Sequence, residues 1–259
     1  MAILFDLDGV FYQGEKAIPH AASVAAWARD ENIPHLFLTN TTSRPRTALL
    51  EKLAGFGIHT DVDHILTPPV AAVNWCRQHI GDRPVALFVP QQTRVEFDEL
   101  SVDEEGSEVG AIVVGDLGEQ WTFEVLNRAF RLLMQSSRPQ LIALGMTRYW
   151  QAADGLRLDV APFVQALSYA SGATPVVLGK PAVDFYRTAI AMLETQASQI
   201  VMVGDDIRGD VEGAQKAGLR GVLVRTGKFR EDDLSLGIQP DAVLPSVVEL
   251  PDWYRANVQ

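Results

Sequence analysis

The chain has 259 residues, 47% of them hydrophobic and 21% charged, a globular balance that rules out wholesale disorder and suffices for one large core or two modest ones. Its 22 basic and 33 acidic residues leave a net charge of -11 with no Lys/Arg run, which argues against a nucleic-acid partner. Any anion it binds must be met locally, by backbone N–H groups, a lysine or a metal.

Cys76 is the single cysteine, so an intrachain disulfide and a cysteine-built zinc site are excluded, and a reducing compartment is expected. The chain reaches Asp6 without a signal-peptide pattern, and no apolar run nears the roughly 20 residues that span a bilayer. The expectation is a cytoplasmic protein with no membrane partner.

In chain order, the apolar run AILF (2–5) ends at Asp6-Leu7-Asp8-Gly9, and a helix is predicted over Ala21–Asp30. HLFL (35–38) ends at Thr39-Asn40, followed by a helix over Arg46–Phe56. VALFV (85–89) and AIVV (111–114) come next, then a helix over Thr122–Leu133 with Thr122 as N-cap, and then LIAL (141–144). PVVL (175–178) ends at Gly179-Lys180-Pro181, before a helix over Val183–Glu194. IVMV (200–203) leads to Gly204, Asp205 and Asp206, a helix over Asp210–Ala217 closing at Gly218, and GVLV (221–224). Strand-length runs alternating with helices predict an α/β fold built on a doubly wound, mostly parallel sheet. Such sheets bind ligands beyond the carboxyl ends of their strands.

Four strand ends carry chemistry. Asp6 and Asp8 lie two apart, so a strand continuing through them puts both carboxylates on one side, where a divalent cation relieves their repulsion. The same residues also suit an Asx turn with Gly9 at positive φ. Asp205 and Asp206 repeat the pattern; Asp210 fits either the same site or a dipole-favoured position in the first turn of a helix. Hard oxygen donors from two loops, with no His or Cys nearby, point to Mg2+. The Thr39 hydroxyl and a turn at Asn40 suit phosphate oxygens, and Lys180, set between Gly179 and Pro181, aims one ammonium at a fixed spot. A nucleophilic carboxylate, a second for proton transfer, a metal ligand, a hydroxyl and a lysine are the parts that phosphoryl transfer needs.

FDLDGV (5–10), LTN (38–40), GKP (179–181) and VGDDIRGD (203–210) resemble, in order, the signature set of the haloacid dehalogenase (HAD) superfamily of phosphohydrolases. The stretches TNTT, DGLRLDVAPFVQALSYASG, GKPAVDFY and GDDIRGDVEGAQKAGLRGVLVRTGKFREDD are similar to the subfamily IIA branch that holds pyrophosphate and phosphoamidate phosphatases. The resemblance implies a Rossmann-like catalytic core over 1–74 and 175–259, with a smaller α/β cap of the C2 type inserted over 75–174. It assigns Asp6 as the nucleophile that forms an aspartyl-phosphate and Asp8 as general acid/base. Mg2+ is expected on the Asp6 carboxylate, the Asp8 backbone carbonyl and Asp205, with Asp206 and Asp210 orienting these ligands. Thr39, the Asn40 backbone and Lys180 are expected to cradle the phosphoryl group.

In the cap, the loop Gly145–Trp150 is the expected specificity element, Arg148 pairing with a substrate anion and Tyr149 stacking on a ring, or either standing exposed without a role. The implied activity is a Mg2+-dependent phosphatase acting on a small phosphorylated substrate, pyrophosphate or a phosphoamidate among them; relatives with this cap often form homodimers through it, and the sequence leaves the oligomeric state open. A phosphotransferase or phosphomutase would use the same nucleophile. A receiver-type signalling module also combines acids, a hydroxyl and a lysine, but its residue order differs and it needs about half this length.

Overall fold

The computed structural model describes residues 1–103, 105–106, 108–152 and 154–257. The strands are β1 (Ala2–Asp6), β2 (His35–Leu38), β3 (Ile65–Leu66), β4 (Val85–Phe88), β5 (Ala111–Val114), β6 (Gln140–Ala143), β7 (Tyr149–Ala152), β8 (Gly155–Leu158), β9 (Val176–Val177), β10 (Ile200–Gly204), β11 (Arg220–Val224) and β12 (Ala242–Leu244), beside a two-residue hairpin at 12–17. The chain forms two compact units. One comprises 1–39, 46–66 and 180–259; the other comprises 40–45 and 67–179.

The first unit is built on a six-stranded sheet in the order β12-β11-β10-β1-β2-β3, every neighbouring pair parallel. β1 and β10 are buried along their whole length, which is why AILF and IVMV read as unbroken apolar runs. Phe5, Phe11 and Phe37 pack as a triangle with ring centroids 5.4 to 5.7 Å apart. Phe11 lies beyond the Asp6–Gly9 turn, so its burial draws the chain straight back onto the core.

The predicted helix over Asp210–Ala217 forms differently. A wide π-type turn over Ile207–Glu212 precedes a short α-helix over Gly213–Lys216, and Gly218 closes it at φ 88°. Asp206 caps the wide turn, accepting from the Arg208 and Gly209 N–H groups, while the Asp210 side chain is turned inward. Asp210 is therefore a buried residue inside the turn and not a solvated charge at a helix start.

The second unit has its own parallel sheet, ordered β9-β6-β5-β4, packed against the helices Phe123–Leu133 and Val160–Ser171. Thr122 caps the first of these by accepting from the Val125 N–H at 3.2 Å. The helix Pro68–His79 also belongs here, against the turn Gln91–Phe97, so the main segment of this unit runs from Thr67, and the cap was expected from Trp75. Residues 40–45 join it through hydrogen bonds from the Thr93 hydroxyl to the Thr42 carbonyl and from the Gln92 amide to the Ser43 carbonyl. β7 and β8 form an antiparallel hairpin in the stretch read as a loop, so Tyr149 opens a strand.

In the first unit the helices Val183–Leu193 and Gly213–Lys216 pack together. A methyl group on Gly213 would lie 2.9 Å from Pro181 Cα and Cβ and from Tyr186 Cε2. Gly213→Ala is expected to lower the unfolding free energy by about 1–3 kcal/mol through overpacking, despite alanine's helix propensity advantage of about 1 kcal/mol. Denaturant midpoints test this, and a midpoint at or above that of the parent would contradict the packing.

Candidate active site

The order of the six-stranded sheet reverses beside β1: the chain passes outward to β2 and β3 on one side, then returns to lay down β10, β11 and β12 on the other. A crevice opens at the carboxyl ends of strands at such a switch point. Register supplies the residues. Asp6 pairs with Leu38, so Thr39 lies one residue beyond; Phe5 pairs with Val203, so Gly204 is level with Asp6 and Asp205 lies just past it.

The turn after β1 is held tightly. Phe11 N–H and Val10 N–H both donate to the Leu7 carbonyl, Gly9 N–H donates to the Tyr12 carbonyl at 2.6 Å, and Gly9 adopts φ 85°. A Cβ at Gly9 would fall 1.9 Å from Asp205 Oδ2, so the loop approaches that carboxylate through bare backbone.

Lys180 Nζ donates to Asp6 Oδ1 at 2.6 Å and to Asp210 Oδ1 at 2.7 Å, and all three side chains are buried. Burial disfavours the ammonium, but the facing Asp210 and Asp6 carboxylates outweigh it and hold the Lys180 pKa above the ordinary lysine value. Asp210 Oδ2 accepts from the Asp206 N–H at 3.1 Å, so both of its oxygens are engaged. Burial, opposed by Lys180 and reinforced by Asp6, pushes Asp210 up to about 6. Asp205 accepts the Lys228 N–H on Oδ2 at 2.6 Å, while its buried Oδ1 has no hydrogen-bond partner among the described residues. Burial, followed by the Asp6 and Asp210 carboxylates, pushes Asp205 up to about 7.

Among the described residues, Asp6, Asp205 and Asp210 form a group whose candidate ligand oxygens lie within 4.8 Å of one another. An orphaned buried carboxylate oxygen amid hard oxygen donors and surplus negative charge fits a divalent cation. Partial desolvation and the Asp6 carboxylate raise the pKa of Asp8, whose side chain still reaches solvent.

Thr39 is buried, its N–H donating to the Leu66 carbonyl at 3.2 Å. Asp206 serves its own turn as the cap and takes no part in the three-carboxylate group. Asn40, Arg148 and Tyr149 belong to the second unit. There Asn40 lines a cavity of about 270 Å3 with Thr42, Asp116, Thr147, Trp150 and Asp159. Arg148 and Tyr149, the residues singled out from the sequence, are not in that lining; both are exposed, the guanidinium 5.7 Å from the tyrosine ring centroid.

Tyr186 and the segment Thr226-Gly227-Lys228 fall within the family-like stretches of the sequence but were given no role there. Tyr186 donates its hydroxyl to the Gly209 carbonyl at 2.7 Å, bracing the turn that carries Asp210. Thr226 donates its hydroxyl to the Gly9 carbonyl. The available signal was a Gly-Lys pair just past the GVLV run, the same arrangement that drew attention to Gly179-Lys180.

Residues 3–103 match the family model of haloacid dehalogenase-like hydrolases, and residues 177–250 match a HAD-hydrolase-like model. Phospholysine phosphohistidine inorganic pyrophosphate phosphatase of Homo sapiens is 36% identical over 235 residues, spanning 89% of this chain and 85% of that one. Haloacid dehalogenase-like hydrolase domain-containing protein 2 of Bos taurus is 37% identical over 232 residues, 90% of this chain and 86% of its own. Among solved structures, p-nitrophenyl phosphatase from Archaeoglobus fulgidus superposes with a TM-score of 0.88 at 26% identity, covering 97% of this chain and 98% of the other.

A carboxyl at about 7 in the folded protein, against an ordinary value of 3.8, takes up a proton on folding between those limits. Its stabilising contribution is complete below about 4 and is lost as the pH rises through 7. In EDTA, Asp205→Asn should therefore melt higher than the parent at pH 8, with the advantage shrinking toward pH 5. A variant that melts lower at pH 8 would contradict the reading of Asp205 as charge-strained.

Proposed function

Because this chain belongs to the haloacid dehalogenase-like hydrolases and is a phosphatase, we propose that it hydrolyses a small phosphorylated compound through an aspartyl-phosphate on Asp6, with Mg2+ as cofactor. The observation that carries this reading is the buried trio of Asp6, Asp205 and Asp210 at the switch point, with Lys180 bridging two of them and Asp205 Oδ1 left without a partner.

In this reading Asp6 attacks phosphorus, and Asp8, its pKa raised, protonates the departing oxygen or nitrogen and later takes a proton from the water that cleaves the acyl phosphate. Lys180, held as an ammonium by its two carboxylate partners, offsets charge on the phosphoryl oxygens, with the Thr39 hydroxyl and the Asn40 backbone as further donors. Mg2+, when bound, supplies the positive charge that lets two anions meet; the Asp6 carboxylate, the Asp8 carbonyl and Asp205 hold it, oriented by Asp206 and Asp210.

The unit containing residues 67–179 is then the cap that selects the substrate, with Arg148 and Tyr149 as candidate contacts. The human relative is named for phospholysine, phosphohistidine and pyrophosphate, and this similarity supports a phosphoamidate or pyrophosphate as substrate here.

Phosphate release from p-nitrophenyl phosphate, pyrophosphate and phospholysine in Mg2+ tests the activity; an isomerised or transphosphorylated product in place of free phosphate would redirect it to group transfer. Asp6→Asn should lower kcat by about a thousandfold or more while leaving the fold intact, because only the charged nucleophile is lost. Asp8→Ala should slow both formation and breakdown of the covalent intermediate by about a hundredfold. Mg2+ at 100 times its Kd should add about 2.7 kcal/mol to the stability of the parent and little to Asp205→Asn. Turnover in EDTA equal to that in Mg2+ would overturn the cofactor assignment.

A further inference from the structure

The loop after β11 touches both halves of the acidic site, through one backbone N–H and one hydroxyl. Lys228 N–H donates to Asp205 Oδ2 at 2.6 Å, and the Thr226 hydroxyl donates to the Gly9 carbonyl. Between them Gly227 sits at φ 62°, so close that an added Cβ would fall 1.9 Å from Asp205 Oδ2 and 2.5 Å from Gly9 Cα. The reciprocal Cβ on Gly9 would lie 1.9 Å from the same oxygen and 3.1 Å from Gly227 Cα. Three connections, after β1, β10 and β11, are thereby laced together around one carboxylate.

The torsion that turns a carboxylate about its own bond is broad and roughly two-fold, so the side chain's packing alone does not set where the second oxygen points. A short N–H bond on Oδ2 does set it: with Oδ2 pinned, Oδ1 is held in the one direction where the described structure gives it no partner. The Thr226 bond acts in the same way on the other side, holding the Gly9 carbonyl and with it the turn that carries Asp8. The Lys228 side chain is not needed for this, being 70% exposed with its ammonium 3.8 Å from Asp206.

From this geometry we infer that Thr226-Gly227-Lys228 is a positioning strap for the divalent cation. The Lys228 backbone N–H fixes the Asp205 carboxylate, and the Thr226 hydroxyl fixes the Asp8-Gly9 turn, in the orientation that binds the ion. This rests on the Mg2+-dependent reading above and adds to it a segment that acts through Asp205 and Gly9.

The test is calorimetric titration of Mg2+ into the full chain, without substrate, beside thermal unfolding in EDTA. Gly227→Ala should weaken Mg2+ binding roughly 10–100-fold, the range for losing a group that orients a metal ligand. Gly237→Ala is the control: Gly237 also lies at positive φ, 79°, but nothing lies within 4 Å of the added methyl, so the backbone strain is matched while Mg2+ affinity stays at the parent value. Thr226→Val, which removes the hydroxyl with little change of shape and provides a readout should Gly227→Ala fold poorly, should weaken binding several-fold to about tenfold. Thr226→Ser should restore it. Parent-like Mg2+ affinity in both Gly227→Ala and Thr226→Val would overturn the strap while leaving the Mg2+ site standing. A parent protein that takes up no Mg2+ would overturn the cofactor reading and the strap with it.

Discussion

Three carboxylates are buried against one another at the end of a parallel sheet with a single ammonium between two of them, and the local architecture follows from making that arrangement tolerable. At an effective dielectric near 20, each pair of like charges some 5 Å apart costs about 3 kcal/mol, and each contact at 2.6 to 2.7 Å with Lys180 returns about 6 kcal/mol. Three repulsions and two attractions come close to cancelling. The cost of desolvation then decides the outcome, which is why burial is the leading cause of the raised pKa values of Asp205 and Asp210. The folded protein thus holds negative charge that a divalent cation can neutralise, which fits the cofactor proposed above.

Holding the carboxylates close requires that backbone, not side chains, surround them. Added methyl groups at Gly9 and Gly227 would each reach within 1.9 Å of Asp205 Oδ2, and one at Gly204 within 2.1 Å of Asp210 Oδ2. The polar groups freed by these close approaches are paired locally: Asp206 caps the wide turn, Tyr186 holds the Gly209 carbonyl, and Thr226 holds that of Gly9. The wide turn belongs to the same solution, since it lets Asp210 engage Lys180 with one oxygen and the Asp206 N–H with the other.

The second unit obeys different constraints. Its sheet and helices bury an ordinary apolar core, and its polar cavity gathers hydroxyls, two carboxylates and Trp150. Arg148 and Tyr149 stood out in the sequence because an arginine and an aromatic beside a strand end are plausible ligand contacts. The hairpin places them outside the cavity lining, between Thr147 and Trp150, which belong to it. Within the strand, Tyr149 and Trp150 diverge because successive side chains face opposite ways, a local rule that cannot be applied until the strand is known to exist.

The sequence by itself determined what depends on near neighbours. Unbroken apolar runs marked β1, β2, β5 and β10, Thr122 marked a helix start, and the residues following the runs marked Asp6, Thr39, Lys180 and Asp205 as candidates. Those signals are local because a strand buried on both faces must be apolar throughout, and because the functional ends of parallel strands are the residues next in the chain. Tertiary structure alone decided that Asp210 turns inward, that Lys180 bridges it to Asp6 across 174 positions of sequence, and that the backbone of Lys228 pins Asp205. These depend on which strands become neighbours and on how closely their loops approach. No window of sequence carries that distance, because it is set by the order of the sheet and by the absence of a side chain at Gly9 and Gly227.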